Sequence, residues 1–228
     1  MIRYHEIFNT DTLNIFTDAS TKNIRGETIG LPGFIAVVGD KIVSQKIIAL
    51  RDSTNNQAEI YAIKMAIEFA LQYRNNVKVI NIFSDSMISV YSLREWIFKW
   101  VNNIKDYNFI NSSNKEVTHQ SIIMSIVLTI LENNLEVSLY HNRGHFNPNS
   151  NNKAEVKEFI DKFKEINMLR DEISTSIAIH IMKYNDMIDN NTRNFIKNLS
   201  VKDIEKLSVL EYGANTFDIN RYRYLLNI

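Results

Sequence analysis

Four acids and one histidine carry the chemistry this sequence could perform. Asp18 follows the apolar segment TLNIFT, Asp85 follows VKVINIFS, Glu59 lies in STNNQAEIYAIKMAIEFA, and Glu155 opens KAEVKEFIDKF, ten residues after the His145 of HNRGHF. Counting by three and four from Glu59 reaches Ala62, Ile63, Ala66 and Ala70, the small apolar stripe that a helix lays against a core, so Glu59 should point inward. A buried carboxylate without partners costs several kcal/mol or takes up a proton, so something nearby must favour its negative charge. If Asp18 and Asp85 end neighbouring strands, they face each other across about 5 Å, at the carboxyl edge where open α/β sheets bind ligands. Three anions crowded there repel one another and are stable with divalent cations between them, and magnesium favours such hard oxygen donors. His145, on a Gly-His turn leading into a polar loop, is the natural proton carrier near neutral pH.

Taken singly, each residue has a plainer reading. An Asp after a strand caps a turn or helix, an acid near a helix start meets the helix dipole, and a loop histidine is a solvated bystander. It is their joint occurrence at one crevice that argues for a site.

The elements that must position these residues follow from periodicity and turn signals. Thr12 to Phe16 reads as a strand running into TDAS, and Gly33 to Leu50 as two more around the Gly39-Asp40 turn. The polar loop RDSTNNQ supplies helix starters, and an amphipathic helix runs from about Ala58 to Tyr73, with Glu59 in its first turn. Val77 to Phe83 is a buried strand, which a right-handed crossover sets parallel to the first. Helical segments occupy Met87 to about Val101 and Gln120 to Leu131, separated by NSSNKEVT. A fifth strand follows at Leu135 to His141 and a covering helix at Lys153 to Asn167. The order is β-β-β-α-β-α-β-α, an α/β fold. Residues 1–169 form one domain on this reading, and 170–228 a small helical C-terminal extension of shorter pieces broken by NDMIDNNT and EYGANT.

Bulk composition narrows the function classes. In 228 residues, 26 basic side chains balance 26 acidic ones, so a polyanion partner must be held by a local patch or by metal ions rather than by a global field. The absence of cysteine excludes disulfides and thiolate zinc sites, and MIRYHEIFNT is too polar for a secretory signal, so the expected location is the cytoplasm. The longest apolar run, Ser121 to Leu131, has about half the residues a bilayer span needs, so no membrane role is expected.

FTDAS, STNNQAEIYAI, FSDSM and RGHFNPNSNNKAE, in this order and spacing, resemble the four motif blocks of type 1 ribonuclease H, and REWIFKW and NKEV resemble that family's substrate-binding protrusion. The resemblance covers about Thr12 to Asn167. It implies a ribonuclease H-like five-stranded mixed sheet flanked by helices, cleaving the RNA strand of RNA/DNA hybrids to 5′-phosphate and 3′-hydroxyl ends. Two Mg2+ or Mn2+ ions would be held in the presence of substrate by Asp18, Glu59, Asp85 and Glu155, with His145 assisting proton transfer or product release. Asn55, Asn56 and Met87 match the family's minor-groove contacts, Thr54 a DNA-strand phosphate contact, and Trp96 and Trp100 the aromatic supports for that strand's sugars. The two tryptophans also suit core packing at i and i+4. Glu155 stands where Asp is usual, Asp52 and His119 occupy phosphate-pocket positions where Arg and Asn are frequent, and the protrusion WVNNIKDYNF offers only Lys105 as a cation. The alternative reading is a catalytically weak hybrid-binding module in a larger assembly. The extension, with Arg221 and Arg223 between Tyr222 and Tyr224, is left open to a protein partner, self-association or strand stacking.

Overall fold

A computed structural model describes residues 7–106, 108–144 and 153–199. Its organising feature is a long hairpin. Strand β1 (Thr12–Ile24) continues eight residues past Phe16 and pairs antiparallel with β2 (Glu27–Val38) along its whole length, from Leu13 opposite Val38 to Ile24 opposite Glu27. The turn lies at Arg25 and Gly26, whose φ angles of 54° and 90° are the pair of left-handed conformations that a two-residue hairpin needs. Asp18 is therefore inside a strand rather than just beyond one, opposite Gly33 of β2.

Strand β3 (Lys41–Ile47) and the short β4 (Leu50–Arg51) both pair with β2, while β5 (Val79–Ser84) lies parallel to β1 and β8 (Ser138–His141) parallel to β5. The main order is β3-β2-β1-β5-β8, the mixed five-stranded sheet the motifs imply. Pairing of β1 with β5 ends at Thr17 opposite Ser84, one residue short of both Asp18 and Asp85.

Lower in the same two strands, a buried amide pair links Asn81 Nδ2 to Asn14 Oδ1 at 3.0 Å, and Asn14 Nδ2 donates in turn to the Ile7 carbonyl.

Side-chain alternation along β1 divides the core. Leu13 and Ile15 join Ile63, Ala66 and Ala70 of α1 (Asn55–Tyr73) and Ile122, Ile123 and Ile126 of α4 (Gln120–Glu132). Phe16, of opposite parity, joins Phe83, Phe159 and Phe163 of α5 (Lys153–Ile166), and Ile181, Tyr184 and Ile188 of α6 (Thr175–Asn198). Between β5 and α4 the chain forms α2 (Met87–Tyr91), a π-helical turn over Ser92–Trp96, α3 (Ile97–Trp100) and a small hairpin of β6 (Ile104–Lys105) and β7 (Asn108–Phe109).

The C-terminal region departs from the expected short pieces. NDMIDNNT lies inside α6, which runs unbroken for 24 residues from its Ser174 cap. Asn and Asp cost a helix only tenths of a kcal/mol each, and the segment has no Gly or Pro, so packing on the sheet overrides them. The buried positions Ala178, Ile181, Met182, Asn185, Ile188, Thr192 and Ile196 make one stripe. Residues 200–228, including Arg221 to Tyr224, lie outside the described residues. Among the described residues no helix is long and apolar enough to cross a membrane.

Candidate active site

Three acids meet at the carboxyl ends of the central strands. Carboxylate oxygens of Asp18, Glu59 and Asp85 all lie within 4.8 Å of one another. Asp18 reaches this point from β1, Asp85 from the residue after β5, and Glu59 from α1. Helix α1 begins three residues earlier than the apolar pattern indicated, because Thr54 caps it by accepting from Gln57 N at 3.2 Å; Glu59 consequently sits in the second turn rather than the first.

The electrostatics are those of charges held together against their repulsion. Asp18 and Glu59 are 5% and 7% exposed. Burial, and then the charges of Asp85 and Asp189, push the Asp18 carboxyl up to about 7, while a hydrogen bond from Thr192 pulls the other way. Burial followed by repulsion from Asp18 and Asp85 raises Glu59 well above the ordinary carboxylate range, opposed by a hydrogen bond with Asn55. Glu59 Oε2 is buried without a hydrogen-bond partner. An orphaned oxygen beside two further hard oxygen donors is what a small divalent cation would satisfy, so the donor set fits magnesium or manganese.

The neighbouring chain braces Asp85. Its carbonyl oxygen lies 3.0 Å from His141 Nε2, and since a carbonyl only accepts, that nitrogen carries the proton. Burial lowers the His141 pKa, which favours the neutral ring. The His141 backbone is clamped by Asn167, whose Oδ1 accepts from His141 N at 2.9 Å and whose Nδ2 donates to His141 O at 2.7 Å. Gly144 passes so close that a Cβ there would lie 2.7 Å from Asp85 Oδ2, which explains the glycine before His145. His145 itself lies outside the described residues.

Glu155 occupies the first turn of α5, anchored by buried Val156 and Phe159. It is half-buried and is not among the oxygens that converge within 4.8 Å.

The expected substrate contacts lie on the surface of α1 and of the segment after β5. Thr54, Asn55 and Asn56 are exposed at the start of α1, and Met87 is 54% exposed. Trp96 and Trp100 sit with ring centroids 6.0 Å apart, on either side of the π turn's end, and line a cleft of about 180 Å3 with Asn56, Ile88 and His119. Trp100 is buried against the core, so packing and cleft lining are both realised. His119, at φ 60°, approaches Thr54 Oγ1 at 3.4 Å, and Asp52 nearby is also left-handed at φ 53°.

Sequence reasoning missed Thr192 and Asp189. They come from α6, and their contact with Asp18 spans more than 170 positions. A signal was available: Thr192 is a polar residue on the apolar stripe of its helix, the same anomaly that singles out Glu59.

Comparison with known proteins agrees with this architecture. The chain is similar to the DNA-directed RNA polymerase subunit beta of Theileria parva, at 24% identity over 164 residues that cover 70% of this chain and 16% of that one; it thus spans under a fifth of that relative's length. Among solved structures it resembles the foamy viral protease-reverse transcriptase in complex with RNA/DNA hybrid (22% identity, TM-score 0.51, 63% of this chain and 18% of that chain). It also resembles the solution structure of the PFV RNase H domain (20% identity, TM-score 0.51, 69% of this chain and 96% of that chain). These likenesses concern the fold. The model of the family described as RNase H matches residues 10–162, well over half the sequence, and the chain belongs to that family.

Proposed function

We propose that the protein is a metal-dependent endonuclease that hydrolyses the RNA strand of RNA/DNA hybrids, leaving 5′-phosphate and 3′-hydroxyl ends. The observation that carries this reading is the convergence of Asp18, Glu59 and Asp85 oxygens within 4.8 Å, with Glu59 Oε2 buried and unpartnered. Membership of the RNase H family and a fold similar to a reverse transcriptase solved with hybrid support the substrate.

Asp18, Glu59 and Asp85 would hold the cations, with Glu155 of α5 as the fourth acid. When bound, two such ions supply an activated water for in-line attack and charge neutralisation at the leaving oxygen. The remaining work falls to the chain. Asn55 and Asn56, exposed at the start of α1, offer amides to ribose 2′-hydroxyls and minor-groove base edges, which separates RNA from DNA. Thr54 and the Trp96–Trp100 cleft receive the DNA strand, and Met87 packs in the groove. Water oxygen bonds to phosphorus, the bond from phosphorus to the ribose 3′ oxygen breaks, and that oxygen takes up a proton. His145, in the motif block that resembles the family's, would handle protons or product release.

The test uses hybrid labelled on its RNA strand, with Mg2+ or Mn2+, alongside duplex DNA, duplex RNA and single strands. Cutting confined to the hybrid RNA strand, and removed by Asp18→Asn or Asp85→Asn, is expected. Hybrid bound but uncut with either ion would overturn the reading in favour of a binding module.

A further inference from the structure

We propose that Thr192, on the C-terminal helix α6, is a positioning residue that fixes the orientation of the Asp18 carboxylate for cation binding. The proposal rests on the reading of Asp18 as a metal ligand. It adds to the site a side chain from beyond the region that the family model matches, which ends at residue 162.

The geometry begins with strand parity. Asp18 shares its side of β1 with Phe16 and Ser20, the side on which α6 packs. Directly across the hairpin, Gly33 has no side chain, and a Cβ there would lie 2.8 Å from Ile47 Cγ1 of β3 and 3.2 Å from Ile188 Cδ1 of α6. The glycine thus leaves room for both Ile47 and Ile188 beside Asp18. One turn further along the helix, Thr192 is fully buried and its Oγ1 donates to Asp18 Oδ2 at 3.1 Å.

The hydroxyl has one proton and two acceptors in reach, Asp18 Oδ2 and the Asp189 carbonyl at 3.0 Å. An ionised carboxylate is the stronger acceptor, so in the charged, cation-binding state the proton goes to Asp18. Ser20 Oγ lies 3.0 Å from Thr192 Oγ1, and with the Thr192 proton committed to Asp18, Ser20 is the donor in that pair. The resulting chain, Ser20 to Thr192 to Asp18, grips one carboxylate oxygen from the side away from Glu59's helix. With that oxygen held, the carboxylate plane cannot swing away from Asp85 when the charges repel. Asp189, one turn before Thr192 on this helix, has its own charge paired by Arg193 Nε at 2.6 Å.

The experiment measures Mn2+ binding to the full chain without nucleic acid, by electron paramagnetic resonance of the free ion, and separately hybrid cleavage against hybrid concentration. Thr192→Val keeps shape and removes the hydroxyl. It is expected to weaken Mn2+ binding about ten-fold or more, and to lower kcat at limiting metal while leaving the KM for hybrid unchanged. Thr192→Ser should restore binding. Ser20→Ala leaves α6 intact and is expected to weaken binding about three-fold, so the proposal stays testable if Thr192→Val does not fold. Wild-type Mn2+ binding in a folded Thr192→Val protein overturns the proposal, as does equal weakening in the Val and Ser variants, or, where only Ser20→Ala folds, unchanged binding in that variant. Metal binding that depends on Thr192 in a protein that cuts no hybrid would sustain the positioning role and sink the nuclease reading, so the two failures are distinct.

Discussion

On one face of the sheet, α1 lays Ala66 and Ala70 over Leu13 and Ile15; on the other, Phe16 and Phe83 stack with centroids 4.8 Å apart, and Tyr140, Phe159, Phe163 and Tyr184 close around them. The first face works by close approach. Small side chains let a helix adjacent in sequence bring Glu59 down to the strand ends. The second works by bulk, with large rings filling the space between the sheet and two helices that come late in the chain, one of which carries Thr192 to Asp18. Glu59 is thus delivered from the small-residue side, while Asp18 is steadied from the aromatic side.

The sharpest way to break this picture is at the acids themselves. Asp18→Asn or Asp85→Asn should lower hybrid cleavage at least about a thousand-fold, since losing a cation ligand forfeits several kcal/mol of charge stabilisation. Residual cutting near the wild-type rate, in a gel assay with either ion, would remove those carboxylates from the chemistry.

Next comes the aromatic face. Phe83→Ala deletes a fully buried ring touching three others and should cost about 3–5 kcal/mol in denaturant unfolding. The alanine face should respond to the opposite change: Ala66→Leu forces extra volume under α1 and should cost about 1–3 kcal/mol. If Ala66→Leu were neutral, close approach would not be what that face requires.

A further effect is electrostatic and spread over several pH units. In metal-free protein, Asp18 shifts from 3.8 to about 7 on folding, so between those values the native chain keeps a proton that the unfolded chain has lost. Stability from this group therefore falls as pH rises from about 4 to 7, and the melting temperature should fall with it. Mg2+ should oppose the fall by replacing the proton with a cation, and Asp18→Asn should lessen it, the burial-raised Glu59 contributing the remainder. A melting temperature that rises through this window in wild type and Asp18→Asn alike would show that other groups dominate.

Much of this was legible in the sequence because its causes are local. Glu59 was found by its place on a helical stripe, and Asp18 and Asp85 by the apolar segments before them. The meander, and the parallel placement of Val77 to Phe83 beside the first strand, followed from turn signals and crossover handedness, while the five-stranded mixed sheet was implied by the family resemblance. The extent of β1 was missed because Arg25-Gly26 is a weak hairpin signal next to Asn-Gly or Asp-Gly, and Leu50–Arg51 is too short for any periodicity. The course of α6 was missed because Asn and Asp suggested breaks that packing overrides. Which face it would cover depends on contacts such as Ile188 against Gly33, and a pairing so distant leaves no periodic trace.

The amide pair between Asn14 and Asn81 sets the alignment on which the acids depend. These residues are in register partners on β1 and β5, and so are Thr17 and Ser84, which places Asp18 and Asp85 side by side where the pairing ends. A slip of one residue would leave two amides stranded among apolar neighbours and turn one strand's alternation inside out. Asn14 and Asn81 thus act as a keyway, sacrificing some apolar burial so that two strands far apart in sequence lock at a single offset.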